Sequence, residues 1–135
     1  LLVVPSIREP LGNVCLEAGL CRVPVLAANV DGLPEIIENK ISGELIDATE
    51  EISINTVQGA ISLPEFVVNP VKGNLSAPKQ INPSILAKRI LKLSSQDDKL
   101  KYYSNELNKK VKNKFSIDRY RRELHKMYRE IDIKG

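Results

Sequence analysis

The residues with the most chemistry to offer lie close together near the start of the chain. Glu9 and Glu17 flank a Pro-Leu-Gly turn and the first residues of a predicted helix, and Glu35 follows Pro34 at a second helix start. Carboxylates accept hydrogen bonds from paired hydroxyls, and the N–H groups left over at a helix start hold anions. Gly12, Asn13 and Val14 would present such N–H groups between the two glutamates, and Gly12 lets a ligand approach the backbone closely. Three carboxylates and two helix starts in one region suit a ligand that carries both hydroxyls and phosphates.

The elements that must position these groups follow from the pattern around them. The apolar run 1–4, ended by Pro5, reads as a buried strand of a parallel sheet. Residues 6–10 are then a loop at its carboxyl end, the edge where open α/β sheets carry ligands. A helix is expected from Asn13, which would cap it, with Val14, Leu16 (or Cys15), Ala18 and Cys21 as its apolar face and Arg22 to Pro24 as its stop. The run 25–28 reads as a second buried strand, completing a right-handed βαβ unit. Residues 29–32 form a turn in which Gly32 can take a positive φ; a short helix follows over 34–38, and a third strand over 44–46.

Residues 47–80 show no clear period and contain Pro64, Pro70, Pro78, Gly59 and Gly73, with a short strand at 65–68. So long an irregular stretch reads as an inserted hairpin or a mobile flap. Helical signals then take over. Asn82 caps a helix that begins at Pro83, with Leu86, Ile90 and Leu93 on one face. Ser95 with Asp98 reads as a capping-box variant for a helix carrying Leu100, Tyr103, Leu107 and Val111. Ser116 starts the last helix, whose stripe of Tyr120, Leu124, Met127, Tyr128 and Ile131 reads as core.

Composition narrows the function. The 135 residues allow one domain, and no window is apolar for long enough to span a bilayer. The chain opens without Met, directly on a strand-like run and with no signal-peptide pattern, and it reads as a segment of a longer protein. The net charge of +3 is uneven: residues 1–87 carry 5 basic and 10 acidic side chains, and the rest carry 15 and 7. Solvated helix faces account for the basic half; the sharper alternative is an anionic membrane surface or an anionic donor near the tail. Its tyrosines fall on the apolar stripe and do not interleave with the charges, which argues against nucleic acid. Cys15 and Cys21 have no partner cysteines and no nearby His, so no metal spacing exists, and both read as small buried hydrophobes in a reducing compartment. His125 reads as a surface residue, and Arg8 as solvated or paired with a carboxylate.

Pro5-Ser6, Glu9, Gly12, Glu17-Ala18, Pro24-Val25, Gly32, Pro34-Glu35 and Gly43 follow one another in this order, with seven residues between Glu9 and Glu17. This stretch, about the first third of the chain, resembles the C-terminal domain of the retaining nucleotide-sugar glycosyltransferases of family 4 (group 1), which have the GT-B fold. Residues 115–128 look like that family's closing helix. The resemblance implies an α/β fold: the C-terminal part of a Rossmann-like GT-B domain, with parallel strands and helices followed by C-terminal helices, spanning 1–135 with an irregular insertion at about 47–80. By position, Glu9 would be the catalytic carboxylate, facing the reacting carbon of the transferred sugar. Glu17 would grip the nucleotide ribose, and the N–H groups near Gly12, Asn13 and Val14 would hold the sugar or diphosphate. Glu35 is a further candidate. Each has a plainer alternative: Glu9 a loop acid beside a helix start, Glu17 a surface residue, and Glu35 an acid common in first helical turns.

The resemblance further implies sugar transfer with retention from a nucleotide-diphosphate sugar, a substrate and not a cofactor, to an acceptor glycan or lipid-linked glycan. No metal is indicated. The acceptor-binding N-terminal domain would lie outside these residues, so the 135-residue segment alone is expected to be inactive. A cytoplasmic setting at the inner face of the membrane, with peripheral membrane contact, suits this use. A non-catalytic nucleotide-sugar-binding subunit and an epimerase of the same architecture are the alternatives. Three departures from the family pattern stand out: Arg22 where Gly is usual after the first helix, Asp31-Gly32 where Gly-Gly is usual, and the long 47–80 link.

Overall fold

Short aliphatic runs without a polar face need cover on both sides, and here a parallel sheet meets that need. The computed structural model describes residues 1–52 and 62–132. In it β1 (Leu2–Val4), β2 (Val25–Ala28) and β3 (Glu44–Ile46) form a parallel sheet in the order β1-β2-β3. Leu2 pairs with Val25, and Leu26 pairs with Glu44. Central β2 is buried at all four positions. Helix α1 (Asn13–Leu20) makes the β1–β2 crossover, and α2 (Leu33–Ile36) follows β2 as a single turn. The expected α/β class, strands and crossover are all present.

Helix α1 begins differently from the expectation. Asn13 is its first helical residue, and the cap position belongs to Gly12 at φ 87, with no side-chain cap. The sharp turn out of the loop needs a left-handed residue there, which glycine supplies without strain. At the other end, Arg22 adopts φ 55. The Val23 N–H reaches the Ala18 carbonyl (2.8 Å) and the Arg22 N–H the Gly19 carbonyl (3.2 Å), a Schellman-type ending that usually carries glycine at this point. Cys15 is buried as expected, but Cys21, just past the helix end, is exposed.

Within the irregular link, residues 53–61 lie outside the described residues. The remainder contains a hairpin: β4 (Val67–Asn69) pairs antiparallel with β5 (Asn74–Ser76). Reciprocal bonds between Glu50 and Gln80, both 2.9 Å, close its neck. Asn82 then caps α3 (Pro83–Ser94), its Oδ1 accepting from Ser84 and Ile85 N–H at 2.9 and 3.1 Å. The expected Ser95–Asp98 box is absent. Helix α4 (Asp97–Lys114) starts too soon after α3, with Gln96 at its cap, and the Ser95 hydroxyl donates back to the Lys92 carbonyl at 3.0 Å. Helix α5 (Ile117–Asp132) starts beside Ser116 as expected. Its stripe is not core: Tyr120, Met127, Tyr128 and Ile131 are 59–64% exposed, because α5 leaves the layered body at Phe115 and packs extensively on no other described element.

Helices α1 and α4 lie side by side because Gly19 has no side chain. A Cβ there would stand 2.7 Å from Val111 Cγ2. The Asn108 amide donates to the Gly19 and Leu20 carbonyls at 2.8 and 3.2 Å, satisfying the open end of α1. Between sheet and helices sits Glu44, 2% exposed, accepting from Arg89 at 2.6 Å, Lys99 at 2.7 Å and the Tyr103 hydroxyl at 3.1 Å. Burial pushes its carboxyl up. The hydrogen bonds from Lys99 and Tyr103 and the charges of Lys99 and Arg89 outweigh burial and leave it below the ordinary value of 4.5.

Two outcomes follow. A folded pKa below the unfolded one gives stability that is complete above pH 4.5 and lost as pH falls through the folded value. Glu44→Gln should therefore lose about 2–3 kcal/mol at neutral pH and show a flatter fall of melting temperature below that pH, read by calorimetry across a pH series. Arg22→Gly should gain about 0.5–1 kcal/mol in denaturant titration, since relief of left-handed strain exceeds the added freedom of the unfolded chain.

Candidate functional site

The loop that leaves β1 at its carboxyl end carries Glu9 back under the start of α1. Glu9 Oε1 accepts the Gly12 N–H at 3.0 Å. A Cβ on Gly12 would stand 3.6 Å from Glu9 Cγ and only 2.6 Å from Leu33 Cδ2, so the tight turn is what brings carboxylate and helix start together. The positive end of α1 favours a negative group at this point. Cys15, in the first turn, feels that charge: burial first, and then the Glu9 carboxylate, push its thiol up to about 11. It stays a neutral thiol at physiological pH and is no nucleophile.

Of the expected N–H donors, that of Gly12 is thus engaged by Glu9 itself. Asn13 and Val14, both exposed, occupy the first two helical positions, whose N–H groups have no acceptor within the helix. Glu17 is exposed on α1 and, four residues after Asn13, shares its face one turn along. Glu35 is exposed in the first turn of α2. That helix is a single turn, so the second helix start expected to hold anions is too short to do so.

Two hollows open beside these groups. One of about 230 Å³ is lined by Arg8, Pro10, Asp31, Gly32, Glu35 and Val68. A broader one of about 790 Å³ lies between Leu11, Leu16 and Glu35 on one side and the α4–α5 junction, with Phe115 and Tyr120, on the other. Glu35 lines both; Glu9 and Glu17 line neither. Arg8 is exposed to solvent, in line with the expectation, and its guanidinium lies 5.8 Å from the centre of the Phe66 ring.

The turn after β2 holds the loop in place. Gly32 was expected to supply a positive φ, but it sits at −81°, and the left-handed residue is Asp31 at 46°. Gly32 is needed for space, since a Cβ there would meet the Pro10 carbonyl oxygen at 2.1 Å. Its N–H donates to the Glu9 carbonyl at 3.2 Å. Asp31 Oδ2 accepts the Glu9 N–H at 2.9 Å, and Oδ1 accepts the Val68 N–H at 2.6 Å. Reading the sequence as a turn missed this role. The available signal was an acid at a left-handed position, where a side chain is tolerated chiefly for the hydrogen bonds it makes.

Comparison with known proteins bears on the fold. Residues 1–56 match the family model described as glycosyl transferases group 1. The alpha-maltose-1-phosphate synthase of Mycobacterium tuberculosis is 48% identical over 44 residues, which are 33% of this chain and 11% of that protein. The D-inositol 3-phosphate glycosyltransferase of Thermobispora bispora is 40% identical over 70 residues, 52% of this chain and 15% of that protein. The chain thus spans only a small part of the curated relatives it matches. Among solved structures, HepE of Anabaena in complex with UDP-glucose superposes with a TM-score of 0.64 at 19% identity, covering 95% of this chain and 27% of that one. The C-terminal domain of the group 1 family protein LpcC from Francisella tularensis gives 0.55 at 20% identity, covering 85% and 43%. Residues 1–56 thus resemble the group 1 glycosyl transferases, and the chain as a whole shares its fold with these two solved structures.

Proposed function

We propose that this chain is the donor-side part of a retaining glycosyltransferase that takes its sugar from a nucleoside-diphosphate sugar. The observation that carries this reading is the Glu9 carboxylate held against the start of α1, on a loop at the carboxyl edge of a parallel sheet. The family match over the same residues supports it, as does the likeness in fold to a protein crystallised with UDP-glucose.

Each group has a distinct task in this reading. The Gly12 N–H fixes one oxygen of Glu9, which leaves the other to accept from the hydroxyls of the transferred sugar beside its reacting carbon. Glu17 takes the ribose diol in a two-pronged contact. The N–H groups of Asn13 and Val14, at the positive end of α1, meet the sugar or its diphosphate. Glu35, at the rim of both hollows, adds a further acceptor for hydroxyls. The departing phosphate assists attack on the face it leaves. Charge on it is stabilised by fixed donors, without a glycosidase-like acid pair. The acceptor, a glycan or lipid-linked glycan, is bound by a domain outside this chain. The basic residues after Lys88 suit work at the cytoplasmic surface of an anionic membrane.

The test uses the intact protein and a panel of nucleotide sugars. Glu17→Ala should raise the donor KM about tenfold or more with kcat little changed, as expected for lost charged hydrogen bonds. Glu9→Gln should lower kcat about 100-fold. The 135-residue chain by itself should not turn over. Wild-type constants in both variants would refute the assignment, and donor binding without any transfer would point to a non-catalytic subunit.

A further inference from the structure

The two departures nearest the site, Asp31 and the long link, meet at one carboxylate. Asp31 Oδ1 takes the Val68 N–H of β4 at 2.6 Å, while Oδ2 takes the Glu9 N–H at 2.9 Å. Backbone bonds run beside both. The Asp31 N–H donates to the Val68 carbonyl, and the Gly32 N–H to the Glu9 carbonyl, each at 3.2 Å. Arg8, next to Glu9, reaches over Phe66, next to β4. Arg8, Asp31 and Val68 line the same hollow, so the hairpin supplies part of its wall. Glycine at position 31 could make none of these side-chain bonds, and an amide could accept on one side only.

Glu9 is consequently held at three points: its N–H by Asp31, its carbonyl by Gly32 and its carboxylate by Gly12. The first of these depends on a side chain that is shared with the inserted hairpin. We infer that Asp31 is a positioning residue, whose carboxylate latches hairpin β4–β5 to the Glu9 loop, so that the insertion sets where the Glu9 carboxylate stands. The inference rests on the reading of Glu9 as the group that faces the sugar, and it makes the hairpin a working part of the donor site.

Two variants of the intact protein separate this role from simple stability. Asp31→Asn keeps a residue that tolerates the left-handed backbone but replaces one acceptor with a donor. Asp31→Gly removes both acceptors and relieves the strain. Both should lower kcat about tenfold or more, as misplacement of a reacting group does, with the donor KM within about twofold of wild type. Hydrogen exchange should quicken at both the Glu9 and Val68 amides in Asp31→Gly, and at least at one of them in Asp31→Asn. A kcat at the wild-type level in both variants, or faster exchange at only one amide in Asp31→Gly, overturns the inference. Glu9→Gln measured alongside tells the two failures apart. If it turns over normally, the role of Glu9 is wrong and the positioning role falls with it. If it is inactive while both Asp31 variants are normal, the latch alone is wrong.

Discussion

The buried carboxylate of Glu44 is the fixed point from which the rest of the arrangement hangs. It sits on the third strand and takes hydrogen bonds from α3, through Arg89, and from α4, through Lys99 and Tyr103. A carboxylate this deep is tolerable only if its lone pairs are satisfied, so the three donors must be present together. Their meeting sets the helices against the sheet edge. Once α4 is set, Leu107, Asn108 and Val111 receive the end of α1 around Gly19. The start of α1 is then fixed as well, with Gly12 turning the chain and Glu9 folded beneath it. The order of dependence runs from a buried ion cluster, through helix packing, to the placement of one carboxylate at the ligand edge.

That carboxylate constrains what can bind. A helix start offers a modest positive field, and Glu9 already uses part of it by accepting the Gly12 N–H. A diphosphate brought to the same place adds negative charge beside a negative group. The Asn13 and Val14 N–H groups alone balance it poorly, and the nearest cation lining the adjoining hollow is Arg8. Basic groups supplied from beyond this chain would complete the balance. The Glu9 charge also contributes to holding the neighbouring Cys15 thiol neutral, so Cys15 offers no nucleophile in the first turn of α1.

Much of this was legible from residue order, because the signals were local. Two aliphatic runs of strand length, bounded by Pro5 and Pro24, mark a parallel sheet, and Asn82-Pro83 marks a capped helix. The misreadings share another origin. Asn13, Ser95 and Gly32 are each of the type that caps or turns, yet the neighbouring geometry took the task away. Gly12 occupies the cap, α3 recruits Ser95, and the Pro10 carbonyl leaves Gly32 room for nothing larger. Glu44 and Asp31 were invisible because their partners lie up to 59 positions away along the chain. The stripe on α5 was read correctly as apolar but not as exposed, since periodicity reports a face and says nothing of what covers it.

Backbone strain by itself is a poor guide to function in this chain, as two left-handed residues illustrate. Arg22 ends α1 in a pattern that glycine would make at lower cost, and its side chain is exposed. Nothing in that geometry requires an arginine. Asp31 adopts a similar backbone, but both its carboxylate oxygens are engaged, one by the loop that bears Glu9 and one by hairpin β4–β5. The strain is roughly 1–2 kcal/mol for arginine and less for aspartate, which visits this region more readily. Two hydrogen bonds to an ionised carboxylate exceed that sum, whereas an exposed guanidinium does not. A strained position therefore points to function where the side chain makes contacts that a glycine would forfeit, and Asp31 meets that condition while Arg22 does not.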